Sequence, residues 1–330
     1  MFLRQVCGSR FVMAVALLGV MAGLAAGDAL AQAWPVKPVR IIVPASAGGA
    51  SDLVARTLAP VLAEQLGQPF IVENKPGAGG IIGTQQVAQS APDGHTLLVT
   101  FDTIAINPFL FKNLQWDPFK DFAPVMLLTR YPQVLFVHPS LGVKNVREFV
   151  ALAKKKGASL NFGSAGPAAS SRLAYELFKD EAGIETLGIH YKGGGPALQD
   201  LIAGQVQVML IQGSGTTQQT VKAGKLVALA VSSLSRSPTY PELPTIAEVY
   251  PGFETQSWVG MYAPSGTPPA VIERLGAALN KALADRTMKE RFYGQGAEIA
   301  AGSPEVLTRL MKADQIKWGK IIVDKKITAD

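Results

Sequence analysis

The chain has 330 residues, 48% of them hydrophobic and 17% charged, which is a globular composition too long for a single small core. Its net charge of +6 comes from scattered Lys and Arg that do not interleave with aromatics, so nucleic-acid binding has no support. The only cysteine, Cys7, lies in the N-terminal segment, so the remainder can form neither disulfides nor a Cys-ligated metal site.

Residues 1–33 read as a secretory signal peptide. Arg4 and Arg10 make a positive start, an apolar run FVMAVALLGVMAGLAA follows, and Ala31-Gln32-Ala33 supplies the small residues of a cleavage site before Trp34. The run is too short for a membrane anchor, and cleavage after Ala33 would leave a net charge of +5. An exported, soluble, mildly basic protein is therefore expected, with an exterior that attracts anions.

From Val39 onward, short apolar runs alternate with amphipathic segments. RIIVP reads as a strand, and the next segment as a helix with Leu53, Leu58, Leu62 and Leu66 at helical spacing. PFIVEN, HTLLVTF, VLFVHP, LNFGS, LGIHY, VQVMLI and KLVALAVSS read as further strands. GIIGTQQVAQSA, NVREFVALAKKKG, SSRLAYELFKDEAG and PALQDLIAGQ read as helices. Lys154, Lys155 and Lys156 close a predicted helix over 145–156 before Gly157, where cations suit the dipole. This rhythm predicts an α/β protein with largely parallel sheets. After a Pro-rich connection, 235–252, WVGMYAP reads as a strand. Thr267-Pro268-Pro269 and Ser303-Pro304-Glu305 each open a helix, the second over 304–327.

Four glycine-rich turns stand between a strand and a helix: PASAGGASD (44–52), NKPGAGGIIG (74–83), GSAGPAASS (163–171) and YKGGGPA (191–197). Each is able to aim backbone N–H groups and the positive end of a helix at an anion, or simply to make a tight turn. Four at corresponding positions predict a ligand crevice at the carboxyl ends of the strands. Nucleotide motifs fail on spacing. The third dinucleotide glycine would fall at Ile82, and no Gly-Lys-Ser/Thr occurs in these turns. No serine lies in a G-x-S-x-G elbow, and His95, His138 and His190 are far apart and read as strand-end packing residues. Asp52 and Asp200 suit capping or salt bridging at helix starts. No enzyme, no metal and no cofactor is expected.

The segment from Trp34 to Val99, with YKGGGPALQDLIAGQVQVM, KLVALAVSS followed by RSP, PELPTIAEV and APSGTPPAVIERL, resembles the Bug-type extracytoplasmic solute receptors of tripartite tricarboxylate transporters. The match runs in order over essentially the whole chain after residue 33. The resemblance implies a two-lobed periplasmic-binding-protein type II fold with the ligand crevice between the lobes. Lobe one would be 34–134 plus 258–330, and lobe two 135–257. It also implies a small carboxylate ligand, dicarboxylate or aromatic acid favoured, and membrane transporter subunits as partners of a monomeric receptor. A ligand-sensing receptor that feeds a signalling protein is the alternative.

Carried over position by position, the resemblance implies contacts from Ser46, Ala47, Gly48 and Gly49, from Gly79 and Gly80 of the Gly77–Gly80 turn, and from Thr103. On the other side it implies Ser164, Ala165, Ser170, Tyr191, Gly193 and Gly194. Asp52 would organise its loop. Two positions depart from the family pattern. Arg172 stands where His is common, and is either a second carboxylate anchor or an exposed helix residue. Ile211-Gln212 replaces a frequent acid, which argues against an amino-acid ligand and leaves Gln212 as a neutral hydrogen-bonding candidate.

Overall fold

The computed structural model describes residues 34–167 and 169–329; the predicted signal peptide lies outside the described residues. Ten strands form one sheet in two halves. In the first half, β1 (Val39–Val43) pairs in parallel with β2 (Phe70–Asn74) and β3 (Thr96–Phe101). The long strand β4 (Phe122–Val137) runs through both halves. In the second half, β5 (Asn161–Ser164), β6 (Leu187–His190) and β7 (Val208–Gln212) pair in parallel in the order β7-β5-β6, and β8 (Val227–Val231) pairs with β4. The chain returns on β9 (Gln256–Pro264), antiparallel to β3 and β4, and β10 (Glu298–Gly302) adds to β4. The full order is β2-β1-β3-β9-β4-β7-β5-β6.

The change of partner along β4 divides the fold. Phe122 to Pro132 pair with β9, whereas Gln133 to Val137 pair with β7. The reading confined to VLFVHP missed the first half of this strand. Pro124 and Pro132 punctuate it, and register shifts follow Pro124 and Leu127, so no clean alternation marks it.

Helices cover both faces of each half. Helix α1 (Ala50–Leu66) packs Val54, Leu58 and Leu62, each fully buried, on the first half. Leu53 instead points outward, 37% exposed, because Val54 and Ala55 complete the inward stripe. Gly67, at φ 77°, ends α1 in the left-handed conformation that glycine tolerates best. On the opposite face lie α2 (Ile81–Ala88) and α3 (Thr103–Leu110); the sequence pattern did not reveal α3. The second half carries α4 (Val146–Lys156), α5 (Ser170–Ala182), α6 (Gly194–Ile202) and α7 (Gly215–Lys222). Asn145 caps α4 by accepting from the Glu148 amide, and Lys154–Lys156 form its last turn.

The C-terminal helices α8 (Pro269–Ala284), α9 (Arg286–Gly294) and α10 (Pro304–Asp324) return to the first half. Ser303 caps α10 as predicted, but Thr267 does not cap α8. Its hydroxyl donates to the Pro264 carbonyl, and Pro268 takes the cap position. A cluster of Ile106, Leu173, Trp318, Ile321, Ile322 and Ile327 joins α3, α5 and the end of α10, spanning the two halves. No described helix is long and apolar enough to cross a membrane.

Candidate functional site

The carboxyl ends of β1 and β3 and those of β5 and β6 face a common cleft of about 530 Å3. Its walls come from both halves of the sheet, as expected where open α/β sheets hold ligands.

The first loop rests on Asp52, which is buried in the first turn of α1. Its carboxylate accepts from the Gly48 amide at 2.8 Å, Asn74 Nδ2 at 2.9 Å and Arg56 Nε at 3.0 Å. Burial pushes this carboxyl up, but the bonds from Gly48, Asn74 and Arg56 together hold it below its ordinary value. Asn74 also donates to the Ala45 carbonyl, fixing both ends of the turn. Ser51, beside Asp52, is 1% exposed and lies on the cleft wall, yet its hydroxyl has no hydrogen-bond partner among the described residues.

The second loop approaches α3 closely. Asn107 Nδ2 donates to the Gly79 carbonyl at 3.1 Å. A Cβ on Gly79 would meet the Phe111 ring at 3.3 Å, and its φ of 63° also favours glycine. Thr103 opens α3 on the same wall, which Thr100 and Phe101 continue.

The other wall is a pair of mutually bonded loops. The Tyr191 amide donates to the Ser164 carbonyl at 3.0 Å, and the Gly193 amide to the Ala165 carbonyl at 2.8 Å. The Ser171 hydroxyl accepts from the Ala165 amide at 3.0 Å. Tyr191 donates its hydroxyl to Asp200 at 2.7 Å; burial first, then Asp200, push this phenol up to about 12. His190 Nδ1 sits 2.8 Å from Ser164 Oγ. Burial, with Arg172 and Lys179 nearby, lowers the imidazole to about 4, so it is neutral at neutral pH.

Of the residues singled out from the sequence, Ser46, Gly79, Gly80, Thr103, Ala165, Tyr191 and Gly193 lie on the cleft wall. Ala47, Gly48 and Gly49 belong to the same first loop but not to the wall, and Gly194 adjoins Gly193 in the same way. Ser164 is fully buried behind the wall. Ser170 and Gln212 turn instead towards Ser257, at 3.0 and 2.7 Å. Arg172 is half-buried and donates to the Pro167 carbonyl at 2.9 Å, bracing the loop from outside the wall.

Sequence reading passed over Ser51, Thr100, Phe101, Asn107, Phe111 and Lys192, all on the wall. Thr100 and Phe101 end a strand, the position where such folds place ligands, and that signal was available. Asn107 and Phe111 depend on α3, which was not foreseen. Among the described residues, no Asp or Glu lines the cleft, and no group of three or more His, Cys, Asp or Glu is placed to hold a metal ion. The site offers hydroxyls, amides and apolar rings, with neither a paired acid and base nor an activated nucleophile on its wall.

Residues 54–327 match the family described as the tripartite tricarboxylate transporter family receptor. The periplasmic binding protein BugD is 37% identical, with a TM-score of 0.76 over 89% of this chain and 99% of that one. Rpa4515 of R. palustris, solved with adipate, is 33% identical, with a TM-score of 0.80 over 89% of this chain and 99% of that one. MatC from Rhodopseudomonas palustris, solved with bound malate, is 34% identical, with a TM-score of 0.75 over 88% of this chain and all of that one. The two-lobed fold, the cleft and these similarities agree: the chain belongs to the Bug-type receptors of the tripartite tricarboxylate transporter family, which are solute-binding proteins of the periplasm and not enzymes.

Proposed function

We propose that this receptor captures a small organic carboxylate, a dicarboxylate or an aromatic acid, and delivers it to the membrane subunits of a tripartite tricarboxylate-type transporter. Export would use residues 1–33 as a signal removed after Ala33. The lobes, 34–134 with 258–330 and 135–257, would close on the ligand by a hinge motion about β4 and β9.

The observation that carries this reading is the unpartnered Ser51 hydroxyl at the cleft end of α1. A buried hydroxyl without a partner is unfavourable unless a ligand completes it. The first-turn amides of α1 have no intrahelical acceptor, and the helix dipole favours negative charge there. With no carboxylate side chain among the described residues of the wall, an anion there meets hydroxyl and amide donors, and the Asp52 carboxylate nearby is already engaged by Gly48, Asn74 and Arg56. Adipate and malate in the two relatives are ligands of this chemistry.

A thermal-shift panel of dicarboxylates, aromatic acids, acidic amino acids and neutral analogues tests the reading. A ligand at 100 times its Kd adds about 2.7 kcal/mol of stability. Carboxylates are expected to shift the melt and neutral analogues are not. A panel in which only uncharged solutes shift it would overturn the reading.

A further inference from the structure

We infer that Lys192 anchors the second carboxylate of a linear diacid held in this cleft, and so sets the preference for diacids over monoacids. The inference rests on the carboxylate reading above.

Among the described residues of the cleft wall, Lys192 and Tyr191 are the only ones with an ionisable side chain, and Lys192 is the only basic one. Tyr191 has its hydroxyl donated to Asp200, which leaves it no proton for a ligand. Arg172, near the start of α5, donates through Nη1 to the Pro167 carbonyl and lies off the wall. No carboxylate among the described residues pairs with the Lys192 ammonium, and the side chain is exposed to the cleft mouth. The backbone beneath it is fixed on both sides, since the amides of Tyr191 and Gly193 donate to the carbonyls of Ser164 and Ala165. Lys192 is thus a free cation on a braced turn.

The opposite wall is divided by chemistry. Ser46, Ser51 and Thr103 supply hydroxyls near two helix N-termini, whereas Phe101 and Phe111 supply apolar surface. One carboxylate against the hydroxyls would lay a methylene chain along the aromatic rings and bring the far end to the other lobe. There the available partner is Lys192. An ammonium makes a compact point-charge contact and demands no fixed bidentate geometry, so diacids of neighbouring lengths fit one anchor. The same positive charge repels a ligand amino group, and the described residues of the wall offer no carboxylate to receive one.

Calorimetric titration of the chain lacking residues 1–33 tests this with succinate, glutarate, adipate and pimelate, each against the monoacid of equal length. Lys192→Met and Lys192→Arg are compared with the wild type, and thermal melts confirm that all three fold. In Lys192→Met, affinity for the best diacid is expected to fall about tenfold or more, the size of a lost charge-assisted bond. Its monoacid is expected to change less than about threefold, and Lys192→Arg to stay within about threefold for both. Lys192→Met leaving the diacid unchanged, or weakening diacid and monoacid by one factor, overturns the assignment alone. A wild type that binds none of these acids also overturns the assignment, and the carboxylate reading falls with it only if the aromatic acids and remaining carboxylates of the thermal-shift panel fail as well.

Discussion

Gln212 donates its side-chain amide to Ser257 Oγ at 2.7 Å, which ties the end of β7 to the start of β9. Ser257 is fully buried and also shares a hydrogen bond with Ser170 Oγ at 3.0 Å. One hydroxyl therefore joins the crossing strand to two elements of the second lobe. Replacing Ser257 with Ala removes the partner of the half-buried Gln212 amide and Ser170 hydroxyl, and a typical hydrogen bond contributes about 0.5–1.5 kcal/mol net. Ser257→Ala is expected to lower unfolding free energy by that amount in urea titrations. A loss below about 0.5 kcal/mol would show that the two partners find other acceptors.

Ser51 makes the opposite prediction. Its hydroxyl is already unpartnered, so Ser51→Ala removes a buried polar group and no bond. Stability of the unliganded protein should be unchanged or slightly higher, while affinity for the carboxylate found in the thermal-shift panel should fall roughly tenfold. Titration and denaturation of the same preparation separate the two effects. Equal affinity in Ser51→Ala and wild type would remove Ser51 from the ligand site.

These two serines also show what was legible in the sequence. The glycine turns and the alternation of strand and helix reveal the α/β architecture and the loops of the cleft, because a strand that turns straight into a helix needs residues tolerant of tight backbone. Side-chain direction within those loops is a different matter. Ser164 and Ser170 look like cleft residues, but one bonds to His190 behind the wall and the other to Ser257, 87 positions away. Such pairings arise only when distant segments meet, and no local spacing encodes them. Helix α3 stayed hidden because it is short and contains Pro108, so Asn107 and Phe111 stayed hidden with it.

Asp52 bears on loop order. Its carboxylate collects the Gly48 amide, Asn74 and Arg56, so Asp52→Ala releases three donors around the first loop. A loss of about 1–3 kcal/mol is expected, together with weaker ligand binding as the turn carrying Ser46 loosens. Its pH dependence follows from the depressed carboxyl. An acid held below its unfolded value contributes stability above that value and loses it as pH falls through the folded one. The wild type's advantage over Asp52→Ala should therefore persist at neutral pH and shrink in acid, near and below pH 3.8. Hydrogen exchange of the 45–49 amides offers a second readout, and protection there unaltered in the variant would refute the organising role.

Asp102 has the reverse sign. It precedes Thr103 at the cleft and is 2% exposed, with one carboxylate oxygen unpartnered. Burial first, and then the neighbouring Asp314, raise its carboxyl to about 8, against weaker opposition from Ser257 and the Thr103 amide. Asp314 is itself raised by burial, although Trp258 Nε1 donates to it at 2.6 Å and Lys317 and Arg130 face it. The folded protein thus keeps a proton on Asp102 that the unfolded chain releases near pH 3.8. Its contribution to stability is fully present below that value, declines as pH rises, and is gone above about 8. The decline amounts to at most ~1.4 kcal/mol per pH unit. Asp102→Asn imitates the protonated acid and has no proton to lose, so its stability should fall less steeply over this range. Urea unfolding of both proteins from pH 4 to 9 is expected to show the variant gaining on the wild type as pH rises. Parallel curves would mean that Asp102 is already ionised in the folded state.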